Sequence, residues 1–115
     1  MNTRARKAKG RRLQNYVKEL FRKIGGTYGL IDEDINSAIM GQSGTDIIFT
    51  PVAKQVFPFA VECKNQEHLN IWSAIQQAEE NTKEGRIPML VFSKNRSKTY
   101  AVVELEKLLD LLYSK

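Results

Sequence analysis

The chain reads as an α/β protein, one central mixed β-sheet flanked by helices, with elements in the order α-β-β-β-α-β-β-α. Three observations predict this. Apolar residues recur at three- and four-residue spacing over 9–25, 69–84 and 104–113, as in amphipathic helices. Short β-branched or aromatic runs bounded by Gly, Pro and Asn occupy 44–49, 59–64, 88–92 and 99–103, as in strands. The helix between Lys64 and Pro88 is long enough for a crossover, so the strand after it can lie parallel to a central one.

In the first helix, Leu13, Tyr16, Val17, Leu20, Phe21 and Ile24 form one apolar stripe expected in the core, and Gly25-Gly26 stops it. Residues 1–8 before it are expected to be a flexible basic arm. Gln14 lies about 60 degrees from the stripe's centre at roughly 100 degrees per residue. Tyr28 to Ile31 is expected as a short strand. Asp32-Glu33-Asp34 reads as a turn or helix cap, or as the source of a further site carboxylate, best Asp34. Gly41, Ser43 and Gly44 loosen the chain before Asp46. Thr50-Pro51 ends the next strand, Pro58 opens another, and the residues between form a helical turn or a loop. After Asn65-Gln66, Leu69, Ile71, Trp72, Ile75 and Ala78 mark a helix ending near Gly85, with Trp72 in the core or an interface. Pro88 to Phe92 is a buried strand, Thr99 to Val103 another, and Lys94 to Lys98 the turn joining them. Leu105, Leu108, Leu109 and Leu112 make a closing helix.

At 115 residues the chain is expected to be a single domain, large enough for one core and too small for two. One cysteine excludes an internal disulfide framework, and one histidine excludes a Cys/His zinc cluster, which leaves oxygen ligation for any metal. The longest apolar runs fall short of a membrane span, and no apolar segment follows the basic start as in a signal peptide; a soluble, cytoplasmic protein is expected. Net charge is +5, and its distribution matters more than its size. Half of the 18 Lys and Arg lie in the first 23 residues, where Glu19 is the only acid. Arg4, Arg6, Lys7, Lys9, Arg11 and Arg12 form one basic group, and Lys94, Arg96 and Lys98 a second. Such clusters suit a polyphosphate backbone.

The chemistry concentrates in Gly44-Thr45-Asp46 and, after a gap of fifteen residues, Glu62-Cys63-Lys64. Strand side chains alternate faces, so Glu62 and Lys64 point one way and Cys63 the other. Paired strands would bring Asp46 beside Glu62. Two carboxylates and a lysine would then share a site able to hold a hard divalent cation and to face a water or phosphate. On spacing alone, an ordinary surface salt bridge at a strand end explains the trio equally well. Cys63 reads as a small core residue rather than a nucleophile, and His68 as an exposed turn residue.

This constellation resembles the PD-(D/E)XK nuclease superfamily, and the element order resembles its restriction-endonuclease-like core. Within it the chain is most similar to archaeal-type Holliday junction resolvases and related phage-encoded proteins. The likeness is carried by Lys9-Gly10-Arg11-Arg12, the Ser-bearing segment Ser37 to Asp46, Phe57 to Gln66, Leu69 to Trp72, Gln77-Ala78-Glu79 and Asn95 to Tyr100. It covers nearly the whole chain. One departure stands out: the archaeal resolvases carry a metal-binding Glu in the first helix where this chain has Gln14, a neutral amide and a poorer Mg²⁺ ligand. Asp34 supplies the missing charge, Gln14 positions a water, or two carboxylates suffice; Asp34 is the favoured option.

The resemblance implies one or two Mg²⁺ ions (or Mn²⁺) on Asp46, Glu62 and the Cys63 backbone carbonyl, with Lys64 acting on water or phosphate. Gln77 and Ser37 are further candidates to hold water or phosphate. The two basic groups, with Ser37, are expected to bind DNA. The implied activity is a Mg-dependent, structure-selective endonuclease, best a Holliday junction resolvase. It would work as a homodimer, because opposing strands of a two-fold symmetric junction must both be cut. The alternatives are a nonspecific or restriction-type nickase and a non-catalytic DNA-binding module of the same fold.

Overall fold

A computed structural model describes residues 2–39, 44–83 and 85–114. The first helix, α1, spans Thr3–Gly26. It begins six residues earlier than the apolar stripe suggests, because the Asn2 side chain accepts the Ala5 N–H at 2.8 Å and caps it. Residues 3–8, expected as a flexible arm, therefore continue the basic helix. Tyr28 to Ile31 is turn rather than strand, and Asp32–Asp34 is a single 3-10 turn. The short strand comes next: β1, Ile35–Ser37, pairs antiparallel with β2, Ile47–Phe49, with Ile35 opposite Phe49 and Ser37 opposite Ile47. Of the glycine-containing loop expected before Asp46, Gly41 and Ser43 lie outside the described residues. Gly44 adopts φ +103, a conformation side chains rarely take.

Thr50 ends β2 and caps α2, Pro51–Val56, in which Pro51 takes a first-turn position where its missing N–H is not needed. Of the helical turn or loop expected here, the helix is the one formed, and it separates β2 from β3, Phe59–Asn65. Helix α3, Ile71–Asn81, crosses over to β4, Ile87–Ser93, which lies parallel to β3 as its length predicts. Strand β5, Tyr100–Val102, pairs antiparallel with β4, and α4, Leu105–Tyr113, follows. The hydrogen-bonded ladders form two groups rather than one continuous sheet, β1-β2 and β3-β4-β5. Among the described residues a single backbone bond, Asp46 N–H to Val61 C=O at 2.8 Å, brings the first pair to the free edge of β3.

The core lies between α1 and the two sheets: Leu13 and Val17 pack with Ile35, Ile47, Val61 and Val91. Phe21 meets Phe49 and Phe57 edge-on, with ring centroids 5.3 and 5.0 Å apart. Gly25 lets α1 approach β1, since a Cβ there would stand 3.1 Å from the Ile35 and Leu30 methyls. Only half of the α1 stripe is interior; Tyr16, Leu20 and Ile24 are about half exposed. Trp72 is 81% exposed and so not core, and none of the α4 leucines is buried. Both helices turn apolar side chains outward. Among the described residues no helix is long and apolar enough to cross a membrane.

Candidate active site

The site grows from the free edge of β3. Pro58 C=O and Gln66 N–H bond to β4, so even-numbered peptide groups of β3 face β4. Odd-numbered groups face the other edge, where Val61 C=O receives the Asp46 N–H and Cys63 N–H donates to Asp46 Oδ2 at 2.7 Å. The Cys63 carbonyl emerges on that same edge, beside the Asp46 carboxylate. Side chains alternate the other way. Val61 and Cys63 pack towards the α1 core, while Glu62 turns to α3, where Asn81 Nδ2 donates to its Oε1 at 2.8 Å.

Glu62 is 5% exposed, and the Asp46 carboxylate stands within hydrogen-bonding reach of it. Burial pushes the Glu62 carboxyl up to about 7; the Asp46 charge adds to this, while Asn81 donation and the Lys64 charge pull it down. Two carboxylates this close need a proton or a cation between them. Lys64, two residues on, is half-buried and lines a concavity with Arg6, Lys9 and Gly10 of α1. The Cys63 thiol is held protonated, chiefly by burial and further by the two carboxylates, so it is no nucleophile.

Asp46, Glu62, Lys64 and the Cys63 carbonyl thus come together. Asp34 does not. It sits opposite Thr50, four residues along the strand from Asp46, about 13 Å at roughly 3.3 Å per residue. Its Oδ1 accepts from Thr50 Oγ1 at 2.7 Å and its Oδ2 from Ile31 N–H at 3.0 Å, and these two bonds hold its carboxyl below the usual range. It closes the 3-10 turn. Gln77 is exposed, and the amide that reaches Glu62 is Asn81, one turn later. The sequence reading singles out Gln77 and misses Asn81, four residues on along the same helix face. Gln14 is 5% exposed beside Leu13 on α1, and among the described residues it has no side-chain bond to Asp46 or Glu62. Ser37 lies at the Asp46 end of the β1-β2 pair, next to Ala38, whose N–H bonds Asp46 C=O at 2.8 Å. His68 is exposed.

Of the basic residues, Arg4, Arg6, Lys7, Arg11, Arg12, Lys94, Arg96 and Lys98 are exposed. Lys9 is the exception. It is 3% exposed and ion-paired with Glu67 at 2.7 Å, which removes it from the surface available to DNA. Arg12 shares a concavity with Lys94, Arg96 and Lys98, so two clusters more than eighty residues apart in sequence form one surface.

Among the described residues no three His, Cys, Asp or Glu side chains converge as a metal cluster. A hard cation would therefore rely on two carboxylates and a backbone carbonyl. That donor set, all oxygen and anionic with lone pairs to spare, fits one.

Comparison with known proteins gives one match. The family described as "Phage putative PDDEXK endonuclease" matches residues 6–115. Neither the curated proteins nor the solved structures contain a significant match.

Proposed function

The chain belongs to the phage PD-(D/E)XK endonuclease family, and from that premise we propose that it is a divalent-metal-dependent, structure-selective DNA endonuclease resolving four-way junctions. The observation that carries the reading is the Asp46–Glu62 pair at the β3 edge, with Lys64 beside it and a basic surface leading away. Asp46, Glu62 and the Cys63 carbonyl would hold Mg²⁺ or Mn²⁺. When bound, such an ion supplies Lewis-acid polarisation of the scissile phosphate and a lowered water pKa.

The protein's own groups do the rest. Cys63 N–H fixes the Asp46 carboxylate, and Asn81 fixes Glu62, so neither must reorganise. Lys64, whose charge acts on Glu62, would orient the attacking water and neutralise charge growing on the phosphate oxygens. Arg4, Arg6, Lys7, Arg11 and Arg12 on α1, with Lys94, Arg96 and Lys98 on the β4–β5 turn, contact phosphates. Ser37, at the Asp46 end of the β1-β2 pair, is a candidate to hold water or phosphate, and Gln77 is the weaker one, since Asn81 is the amide on Glu62. A four-way junction requires two such centres, so a homodimer is part of the reading; exposed Trp72 and the leucines of α4 offer it apolar surface.

The test is cleavage of a synthetic four-way junction beside linear duplex of the same sequence, in Mg²⁺ and in Mn²⁺. Resolution into paired nicked duplexes, lost in Asp46→Ala and Lys64→Ala while binding persists, is expected. Equal cutting of linear duplex would replace junction selectivity with a nickase, and binding without cutting would overturn the catalytic reading.

A further inference from the structure

Glu67 belongs to no motif, yet it is the joint of the basic surface. Its Oε2 accepts from Lys9 Nζ of α1 and from Asn95 N–H of the β4–β5 turn, both at 2.7 Å. Asn95 begins the tip of the turn that carries Lys94, Arg96 and Lys98. Lys9 lies on the helix that carries Arg6 and Arg12, and its C=O accepts from Asn65 Nδ2 at 2.9 Å. One carboxylate oxygen thus ties together the end of the site-bearing strand, the basic helix and the basic turn. The turn is also strained: Arg96 holds φ +60, which side chains adopt reluctantly and which glycine would occupy freely.

We propose that Glu67 is a positioning residue for DNA, locking the β4–β5 turn against α1 so that Arg12, Arg96 and Lys98 act as one phosphate site beyond the scissile centre. This deepens the endonuclease reading above and rests on it. Asn65, at the edge of this concavity, lies three residues past Glu62, about 10 Å along β3 at roughly 3.3 Å per residue. The site would therefore engage the backbone one or two phosphates away from the cut. An acid inside a basic surface repels DNA in simple charge terms, so Glu67 acts by geometry against its own field.

That opposition makes the proposal testable. Binding of a fluorescent four-way junction is measured by anisotropy in EDTA from 50 to 200 mM salt, for wild type, Glu67→Ala, Glu67→Gln and Arg96→Gly. Glu67→Ala raises net charge from +5 to +6, so charge alone would tighten binding. The expected result is instead a loss of about three- to tenfold, with Glu67→Gln, which keeps an acceptor for Asn95, in between. Arg96→Gly relieves the backbone; it should keep or raise Tm while weakening binding about threefold and lowering the salt slope by about one. Binding by Glu67→Ala as tight as wild type below its Tm, or unchanged affinity in Arg96→Gly, would overturn the proposal. Junction cleavage in Mg²⁺ is scored separately. A wild type that binds but never cuts sinks the catalytic reading alone, and one that cuts while Glu67→Ala binds normally sinks only the role of Glu67.

Discussion

Two acidic regions border the β1-β2 pair, one at each end, and they are opposites. At one end Asp34 is well supplied: each oxygen has its own donor, and its carboxyl is held low. At the other, Glu62 is buried with, among the described residues, a single amide donor and a second carboxylate against it, and its carboxyl is pushed up. A carboxylate whose lone pairs are filled by the protein is a structural cap. One buried with lone pairs unfilled is poised to take a cation. The difference shows why Asp34 stays apart from the candidate site, whereas a lone Asp sixteen residues before a Glu forms it.

The contrast is sharpened first by removing each acid. Asp46→Ala should lower junction cleavage by about a thousandfold or more, roughly 4 kcal/mol in the barrier at 1.36 kcal/mol per decade. Asp34→Asn should leave the cleavage rate within about twofold. Single-turnover rates in Mg²⁺ decide the matter; comparable losses at both positions would erase the distinction.

Next is the pH dependence of stability. Because the folded Glu62 carboxyl titrates near 7 against 4.5 for an ordinary one, the folded state binds the extra proton. Stability of the metal-free protein should therefore fall as pH rises from about 4.5 to 7, by about 3 kcal/mol. Asp34 has the reverse sign, and its contribution is lost as pH falls through and below 3.8. Urea unfolding in EDTA measures both limbs. Glu62→Gln should flatten the upper limb and leave the lower one, and saturating Mn²⁺ should raise stability most above pH 7. Asn81→Ala comes third. With the Asn81 donor gone, Glu62 should titrate still higher, and Mn²⁺ affinity at pH 7 should drop about tenfold by calorimetry.

The elements that were legible in sequence are those whose signal is local. The strand pattern of 59–64 and 88–92, the crossover between them and the Asp46…Glu62-Cys63-Lys64 spacing all belong to β3 and its neighbours, where burial on two faces enforces period and register. The family match agrees with the superfamily that this spacing resembles. What was illegible depended on partners far along the chain. Lys9 looks like every other cation of its cluster until Glu67, fifty-eight residues on, is placed beside it. Asn81 and Gln77 share a helix face, and only the height of Glu62 on β3 selects one. For Asp34 the sequence also offers the cap reading, which the Ile31 N–H three residues back bears out, and only the claim of Thr50, sixteen residues on, is out of local view. The helical stripes misled for another reason. Periodicity reports an apolar face, but not whether this chain is what covers it, and Trp72 and α4 show apolar faces left open.

The smallest expected effect probes the cap itself. Thr50 is bonded twice over: its hydroxyl donates to Asp34 Oδ1 at 2.7 Å and accepts the Ala53 N–H that starts α2. Thr50→Val keeps the shape and removes both bonds, which should lower stability by about 1 kcal/mol. Asp34 then loses one of its two donors, so its carboxyl should titrate nearer the ordinary value and the acid limb of the stability profile should shrink. The upper limb, set by Glu62 at the other end of the β1-β2 pair, should stay where it is, as should the cleavage rate. If Thr50→Val moves the upper limb instead, the two ends of the β1-β2 pair are energetically one region, and the opposition between a filled and an unfilled carboxylate fails.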